Sequence, residues 1–244
     1  MSLKPRLADH DPLVGNWLSL SDPAVAELTA ELGYDFAMID MEHTPASLET
    51  VTSMVRGVDA ADGETAPLVR LPWNDHVTIK RVLDVGVAGV MAPMIESGDD
   101  AASFVEATKH PPEGIRGMAG GRAAKYGLET EAYVERANDA LVRIAQIETE
   151  AGIEHVEEIA ATEGLDALFI GPADLSTNLG EYGDVDSEAF REAGLHVAEQ
   201  DTIPDREIEI PPAEEFPIED WETREAMVDR YRTWGTLLTV GVAP

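Results

Sequence analysis

Residues 34–43, YDFAMIDMEH, set a short apolar run directly against an ionisable one. Tyr34–Ile39 has the length and the aromatic and branched content of a buried strand, and Asp40-Met41-Glu42-His43 follows it without a break. Working outward, Pro23–Leu32 precedes it with helical spacing and Ser21 or Asp22 near its N-cap, and Leu13–Leu20 reads as an earlier strand. On the other side Ser47–Val58 reads as a helix, Pro67–Leu71 as a strand, His76–Val85 as a helix, Gly89–Pro93 as a strand and Asp99–Lys109 as a helix. A Gly-rich loop over His110–Gly127 interrupts the series, and its Gly117, Gly120 and Gly121 read as a flexible loop. Helix Thr130–Ala140, strand Val142–Ile147, helix Gly152–Thr162 and strand Leu165–Ile170 then resume it. Short strands separated by helices predict repeated βα units and a parallel sheet. Because no strand runs into a dinucleotide-type glycine fingerprint, the expected architecture is a (β/α)8 TIM barrel rather than an open doubly wound sheet.

Past residue 180 the alternation weakens. Ser187–Gln200 still reads as a helix, but Asp201–Phe216 carries three prolines and Ile208–Ile210 is its only strand-like fragment. Glu219–Trp234 looks helical and Thr236–Val242 looks like a last strand. Residues 181–244 hold 17 acids and 5 bases, so this part is more acidic per residue than the rest. The expectation is one barrel domain over 1–244, with an atypical, incomplete C-terminal part.

The whole chain of 244 residues has 48 acids against 17 bases, a formal charge of −31, and no cysteine. Hydrophobic residues make up 44 %, enough for a sizeable core despite that charge. The charge argues against nucleic-acid and anionic-membrane partners, which need basic clusters. Dispersed acids suggest a surface adapted to high salt, where ions screen self-repulsion over a few Å. No run approaches the ~20 apolar residues of a membrane span, and the N-terminus has no apolar signal segment, so a cytoplasmic protein is expected. Without cysteine there is no thiolate nucleophile, and any metal must sit on oxygen or imidazole.

Barrel enzymes carry their chemistry at the C-terminal ends of the strands. Here those ends supply Asp40 to His43, Arg70, Glu148 with Gln146 on the same face, and Gly171-Pro172-Ala173-Asp174. Singly, each has a plain structural reading: Asp174 could cap a turn, and Arg70 could make a salt bridge at the rim. Their conjunction on successive strand ends points to a site. Glu148 and Asp174 would lie on neighbouring strands, a pair of hard donors suited to Mg²⁺ or Mn²⁺ with room for a chelating 2-oxo acid. An enolate there would be stabilised by the metal and by the Arg70 guanidinium, and His43 has the pKa range for proton transfer. Imine chemistry needs a lysine in the barrel mouth, and none of Lys4, Lys80, Lys109 or Lys125 follows a strand.

Six ordered motifs carry a family resemblance. They are Ile39-Asp40-Met41-Glu42-His43, Val69 to Asp75 (VRLPWND), Leu83-Asp84-Val85-Gly86, Pro111 to Gly117 (PPEGIRG), Gln146-Ile147-Glu148-Thr149, and Phe169 to Ser176 (FIGPADLS). Together, over about Pro12 to Gly183, they resemble the HpcH/HpaI aldolases, metal-dependent class II enzymes acting on 4-hydroxy-2-oxo acids. The resemblance implies a (β/α)8 barrel, Mg²⁺ or Mn²⁺ (Co²⁺ as a further candidate) on Glu148 and Asp174, and Arg70 on the enolate oxygen. It makes His43 the acid/base element, supported by Asp84 and Asp40, and lines the pyruvate pocket with Gln146, Gly171, Pro172 and Ala173. It also implies a homo-oligomer, although the family's last helix, exchanged between subunits in trimers of dimers, has no counterpart after Val242. Val240-Gly241-Val242 resembles the family's eighth strand. Two other readings share these residues: an oxaloacetate decarboxylase or acyl-CoA ester lyase, and a non-catalytic barrel serving in assembly.

Overall fold

The computed structural model describes residues 3–9, 13–182, 184, 186–200 and 240–241. Its strands are β1 (Gly15–Leu18), β2 (Phe36–Asp40), β3 (Ala66–Arg70), β4 (Gly89–Ala92), β5 (Val142–Ile147), β6 (Ala167–Ile170) and β7 (Val240–Gly241). β1 to β6 pair in sequence order, every pair parallel, into the curled wall of a barrel. The helices are α1 (Leu3–Ala8), α2 (Pro23–Glu31), α3 (Leu48–Ala60), α4 (His76–Leu83), α5 (Gly98–Thr108), α6 (Thr130–Ala140), α7 (Glu150–Glu154), α8 (Val156–Ala160), α9 (Pro172–Asn178) and α10 (Glu188–Ala198). Ser47, Asp75, Ser97 and Ser187 fix the starts of α3, α4, α5 and α10 by accepting a first-turn amide.

The strand period of two divides the core. Outward residues such as Ala37, Ile39, Val69, Val90, Ala145 and Leu168 pack under the helices. Inward residues Phe36, Met38, Leu68, Met91, Val142, Ile144 and Ala167 fill the barrel. Gly15 lies on the inner wall because a Cβ there would fall 2.0 Å from the Phe36 ring. Helix α1, which the sequence reading passed over, sends Leu3 and Leu7 into this inner core and stops the barrel floor. Above them is an apolar cavity of about 80 Å³, bordered by Trp17, Phe36, Met91 and Phe169.

Two expectations need correction, and one unassigned segment takes shape. The helix expected over 152–162 is two short ones, α7 and α8, separated at His155, whose φ of −108° and ψ of 15° leave the helical range. Residues 172–178, left without an assigned element beyond a turn that Asp174 could cap, form helix α9, with Pro172 in its first turn, where a missing N–H costs nothing. The final strand expected at Thr236–Val242 is described only at Val240–Gly241, and it pairs antiparallel to β6 through Ala167↔Gly241 and Leu168↔Val240. It therefore runs along the β6 edge against the direction of the barrel wall, unlike a closing eighth strand. The fragments expected at Ile208–Ile210 and Glu219–Trp234 lie outside the described residues.

Candidate active site

Followed toward their C-terminal ends, the inward rows change from apolar to polar at one level. On β2 the row is Phe36, Met38, Asp40 and then Glu42; on β3 it is Ala66, Leu68, Arg70; on β5 it is Val142, Ile144, Gln146 and then Glu148. The same alternation that fills the floor with hydrocarbon thus lifts carboxylates, an amide and a guanidinium into one mouth.

Sheet register makes Asp40 and Arg70 direct cross-strand partners. The guanidinium donates Nε–H to Oδ1 at 2.9 Å and Nη2–H to Oδ2 at 2.7 Å, a bidentate pair, and its third side lies 2.8 Å from Glu42 Oε2. The Trp17 ring supports it from another direction, with the guanidinium carbon 4.7 Å from the ring centroid. Burial alone would raise the Asp40 carboxyl, but Arg70's hydrogen bonds and charge, with the amides of Glu42 and His43, outweigh it and hold Asp40 below its ordinary range. For Glu42 burial wins over the pull of Arg70, and its carboxyl is pushed up.

Glu148 is 1 % exposed. Its Oε1 accepts the Met94 N–H at 2.8 Å and its Oε2 accepts from the Gln146 amide. Met94 holds that N–H in place with φ at 54°, a left-handed backbone that costs a side-chain-bearing residue conformational energy and is found at sites that need it. Burial pushes the Glu148 carboxyl up, against these two hydrogen bonds. Beside it, a Cβ on Gly171 would fall 2.6 Å from Glu148 Oε2 and 2.9 Å from Gln146 Nε2, so only glycine lets the β6–α9 turn pass this close. Pro172 and Ala173 then carry the chain into α9, and Asp174 stands in its first turn, half exposed. His43 Nε2 lies 3.9 Å from Asp174 Oδ2 and 3.8 Å from Glu42 Oε2; at 61 % side-chain exposure it reaches the mouth from solvent.

Of the residues expected from the sequence, His43, Arg70, Asp40, Gln146, Glu148, Gly171 and Asp174 converge here. Asp84 does not join them within this chain. It caps the C-terminal end of α4, where the chain turns toward the start of β4 and hence the opposite end of the barrel, and it pairs with Arg116 at 3.1 Å. Two participants went unassigned in the sequence reading. Glu42 was visible as the next inward position after Asp40; the Met94 amide acts through backbone conformation and has no side-chain signal.

Among the described residues no group of three or more His, Asp and Glu forms a ready-made metal cage. The donors that do meet suit an ion with two protein carboxylates and open positions. Buried Glu148 keeps lone pairs beyond its two hydrogen bonds, and Asp174 faces the same mouth. Gln146 Oε1 is buried with no hydrogen-bond partner, an acceptor waiting for a ligand or its shell. Hard oxygens in this number fit Mg²⁺ or Mn²⁺.

Comparison with known proteins finds named relatives over most of the chain. The family model described as HpcH/HpaI aldolase/citrate lyase matches residues 13–202. The hydroxypyruvate/pyruvate aldolase of Paraburkholderia phytofirmans is 48 % identical over 75 % of this chain and 72 % of its own. The 4-hydroxy-2-oxovalerate aldolase of Novosphingobium aromaticivorans is 43 % identical over 75 % of this chain and 69 % of its own. A crystal structure of an HpcH/HpaI aldolase/citrate lyase family protein from Burkholderia cenocepacia superposes with a TM-score of 0.79 at 43 % identity, covering 81 % of this chain and 79 % of that one. With a family model spanning most of the chain and a relative near half identity, the protein belongs to the HpcH/HpaI aldolase/citrate lyase family.

Proposed function

We propose that the chain is a divalent-metal-dependent carbon–carbon lyase that cleaves a 4-hydroxy-2-oxo acid into pyruvate, or a close relative, and an aldehyde. The observation that carries this reading is the meeting, in one barrel mouth, of a guanidinium locked by Asp40 with a buried Glu148 whose Gln146 neighbour has an unmet acceptor. Glu148 and Asp174 hold the Mg²⁺ or Mn²⁺, which when bound supplies Lewis-acid stabilisation of negative charge on oxygen. His43 takes the proton from the C4 hydroxyl, the C3–C4 bond breaks, and its electrons pass to C3 and the C2 oxygen. Arg70, already oriented by Asp40 and Trp17, lies ready for that oxygen without reorganising. A proton returned to C3 completes pyruvate. Gln146 and the Gly171–Ala173 turn line the acid's pocket, and Asp84 supports the proton transfer only where another copy of the chain brings it to the mouth. We read the protein as a cytoplasmic homo-oligomer adapted to salt, an extension that rests on the acidic surface and the family resemblance.

An assay coupled to lactate dehydrogenase, run with Mg²⁺ or Mn²⁺ in molar salt across a panel of 4-hydroxy-2-oxo acids, tests the reading. Arg70→Ala and Glu148→Gln are each expected to leave less than a tenth of the activity, a loss above about 1.4 kcal/mol of transition-state stabilisation. Folded protein with no turnover, or both variants above a tenth, would overturn it.

A further inference from the structure

The far end of the barrel holds polar groups that the chemistry of the mouth does not use. Ahead of β4 and β5, between the α4–β4 turn and helix α6, lies a cavity of about 290 Å³. Leu83, Val87, Ala137 and Leu141 give it apolar walls, and Arg116, Tyr133 and Arg136 give it a polar edge. Arg116 is 3 % exposed, and its backbone is pinned on both sides: its N–H donates to the Lys109 carbonyl at 2.8 Å, and its carbonyl accepts from His110 Nδ1 at 3.0 Å. Nη2 of its guanidinium donates to Asp84 at 3.1 Å and to the Tyr133 hydroxyl at 2.6 Å. Its Nε–H is buried and has no hydrogen-bond partner among the described residues. A buried donor left unmet costs free energy, so one held this firmly at the edge of a cavity points to a ligand that supplies the acceptor.

Charge and lining together specify the ligand. Arg116 and Arg136 both lie over the Tyr133 ring, their guanidinium carbons 5.6 and 5.8 Å from its centroid, so two cations share one wall. Asp84 meets Arg116 at 3.1 Å, and Glu129 stands 3.9 Å from Arg136, which leaves both guanidiniums with capacity to donate. Tyr133, having accepted from Arg116, still has its own O–H to give. In a chain of net charge −31 the surface at large repels anions, so an anion retained here is retained by this row of donors. A carboxylate suits the row because it offers two acceptor oxygens, and its bond to a guanidinium is charge-assisted. The apolar walls opposite would stay wet under a bare inorganic anion, whereas hydrocarbon attached to the carboxylate covers them. The volume lies at the small end of the ~300–1,000 Å³ typical of ligand pockets. We propose that this cavity is a second binding site, apart from the barrel mouth, for a small organic acid: a carboxylate carried on a short chain or ring.

Benzoate is the probe, because it joins a carboxylate to an apolar ring and has no keto group for the mouth. Calorimetry on the full chain should show one benzoate bound per chain. Benzamide, the same shape without the charge, and inorganic phosphate, the charge without the hydrocarbon, should each bind at least tenfold more weakly. Ala137→Leu fills the cavity from α6 and should weaken benzoate at least tenfold. Arg136→Gln, at an exposed position, should weaken it several-fold and covers the case in which the larger side chain disturbs folding, which the far-UV spectrum checks. Glu148→Gln, at the other end of the barrel, should bind benzoate as wild type does. Affinity lost in Glu148→Gln but kept in Ala137→Leu and Arg136→Gln would put the acid in the mouth and overturn the proposal, as would the absence of benzoate binding to wild type. Phosphate or benzamide binding as tightly as benzoate would likewise overturn it, the first by removing the role of the apolar walls and the second that of the guanidiniums.

Discussion

The ion pair between Asp40 and Arg70 concentrates the energetics of the site in two side chains. Both are more than nine-tenths buried, and each is the other's main compensation for leaving water. Asp40→Asn keeps the shape but strands the guanidinium against a misaligned Glu42, and removal of one partner of such a pair costs about 3–5 kcal/mol. The pH dependence follows from the direction of the shift. A carboxyl held lower in the folded chain than in the unfolded one contributes its full stability above the ordinary carboxylate range and loses it as pH falls through the folded value. Urea midpoints for wild type and Asp40→Asn should therefore differ by a constant amount from neutrality down to the ordinary Asp range, and converge only below it. A gap that widens toward acid pH would show that Asp40 is not held ionised by Arg70.

Single elements bring the site together, and each can be disturbed alone. The β6–α9 turn can pass Glu148 only because Gly171 has no side chain. Gly171→Ala must push Glu148 or Gln146 aside, at about 1–3 kcal/mol of overpacking strain. We expect at least tenfold weaker Mn²⁺ binding by calorimetry with an unchanged far-UV spectrum. At the barrel's other end, Leu7→Ala in α1 removes hydrocarbon from the inner core and enlarges the cavity above it, and should cost about 2–5 kcal/mol in denaturant unfolding while leaving Mn²⁺ affinity as it was. These two ends also mark how far the sequence was legible. Strand-end residues could be placed because a period of two and a parallel sheet leave little freedom in where Asp40, Arg70, Gln146 and Glu148 point. Helix α1 escaped because the N-terminus was read for a signal segment, and two inward leucines in six residues give too weak a period. The break at His155 and the left-handed Met94 are backbone choices imposed by tertiary packing, which no local pattern announces. Asp84 reads as a helix cap in sequence, and within this chain it is one.

At the scale of the whole molecule the acids outnumber the bases 48 to 17, yet the site absorbs only Asp40, Glu42, Glu148 and Asp174. The helices carry much of the rest on their outer faces, as with Glu27 and Glu31 on α2, Glu131 and Glu135 on α6, and Glu154 and Glu157 on α7 and α8, all exposed. Like charges confined to one folded surface repel more strongly than on an expanded chain, so this excess opposes folding at low salt. Screening shortens the reach of that repulsion from about 10 Å at 0.1 M to about 3 Å at 1 M, below the spacing of most surface carboxylates. Thermal midpoints should accordingly rise by several degrees between 0.1 and 2 M KCl. General salting-out would also raise them, so the discriminating protein is Glu31→Lys/Glu135→Lys/Glu157→Lys, which alters no buried contact and relieves the repulsion chemically. Its midpoint at 0.1 M KCl should exceed that of wild type, and its slope against salt should be shallower. Parallel slopes for the two proteins would mean that the salt response does not come from the acidic surface, and the reading of −31 as an adaptation to salt would fall.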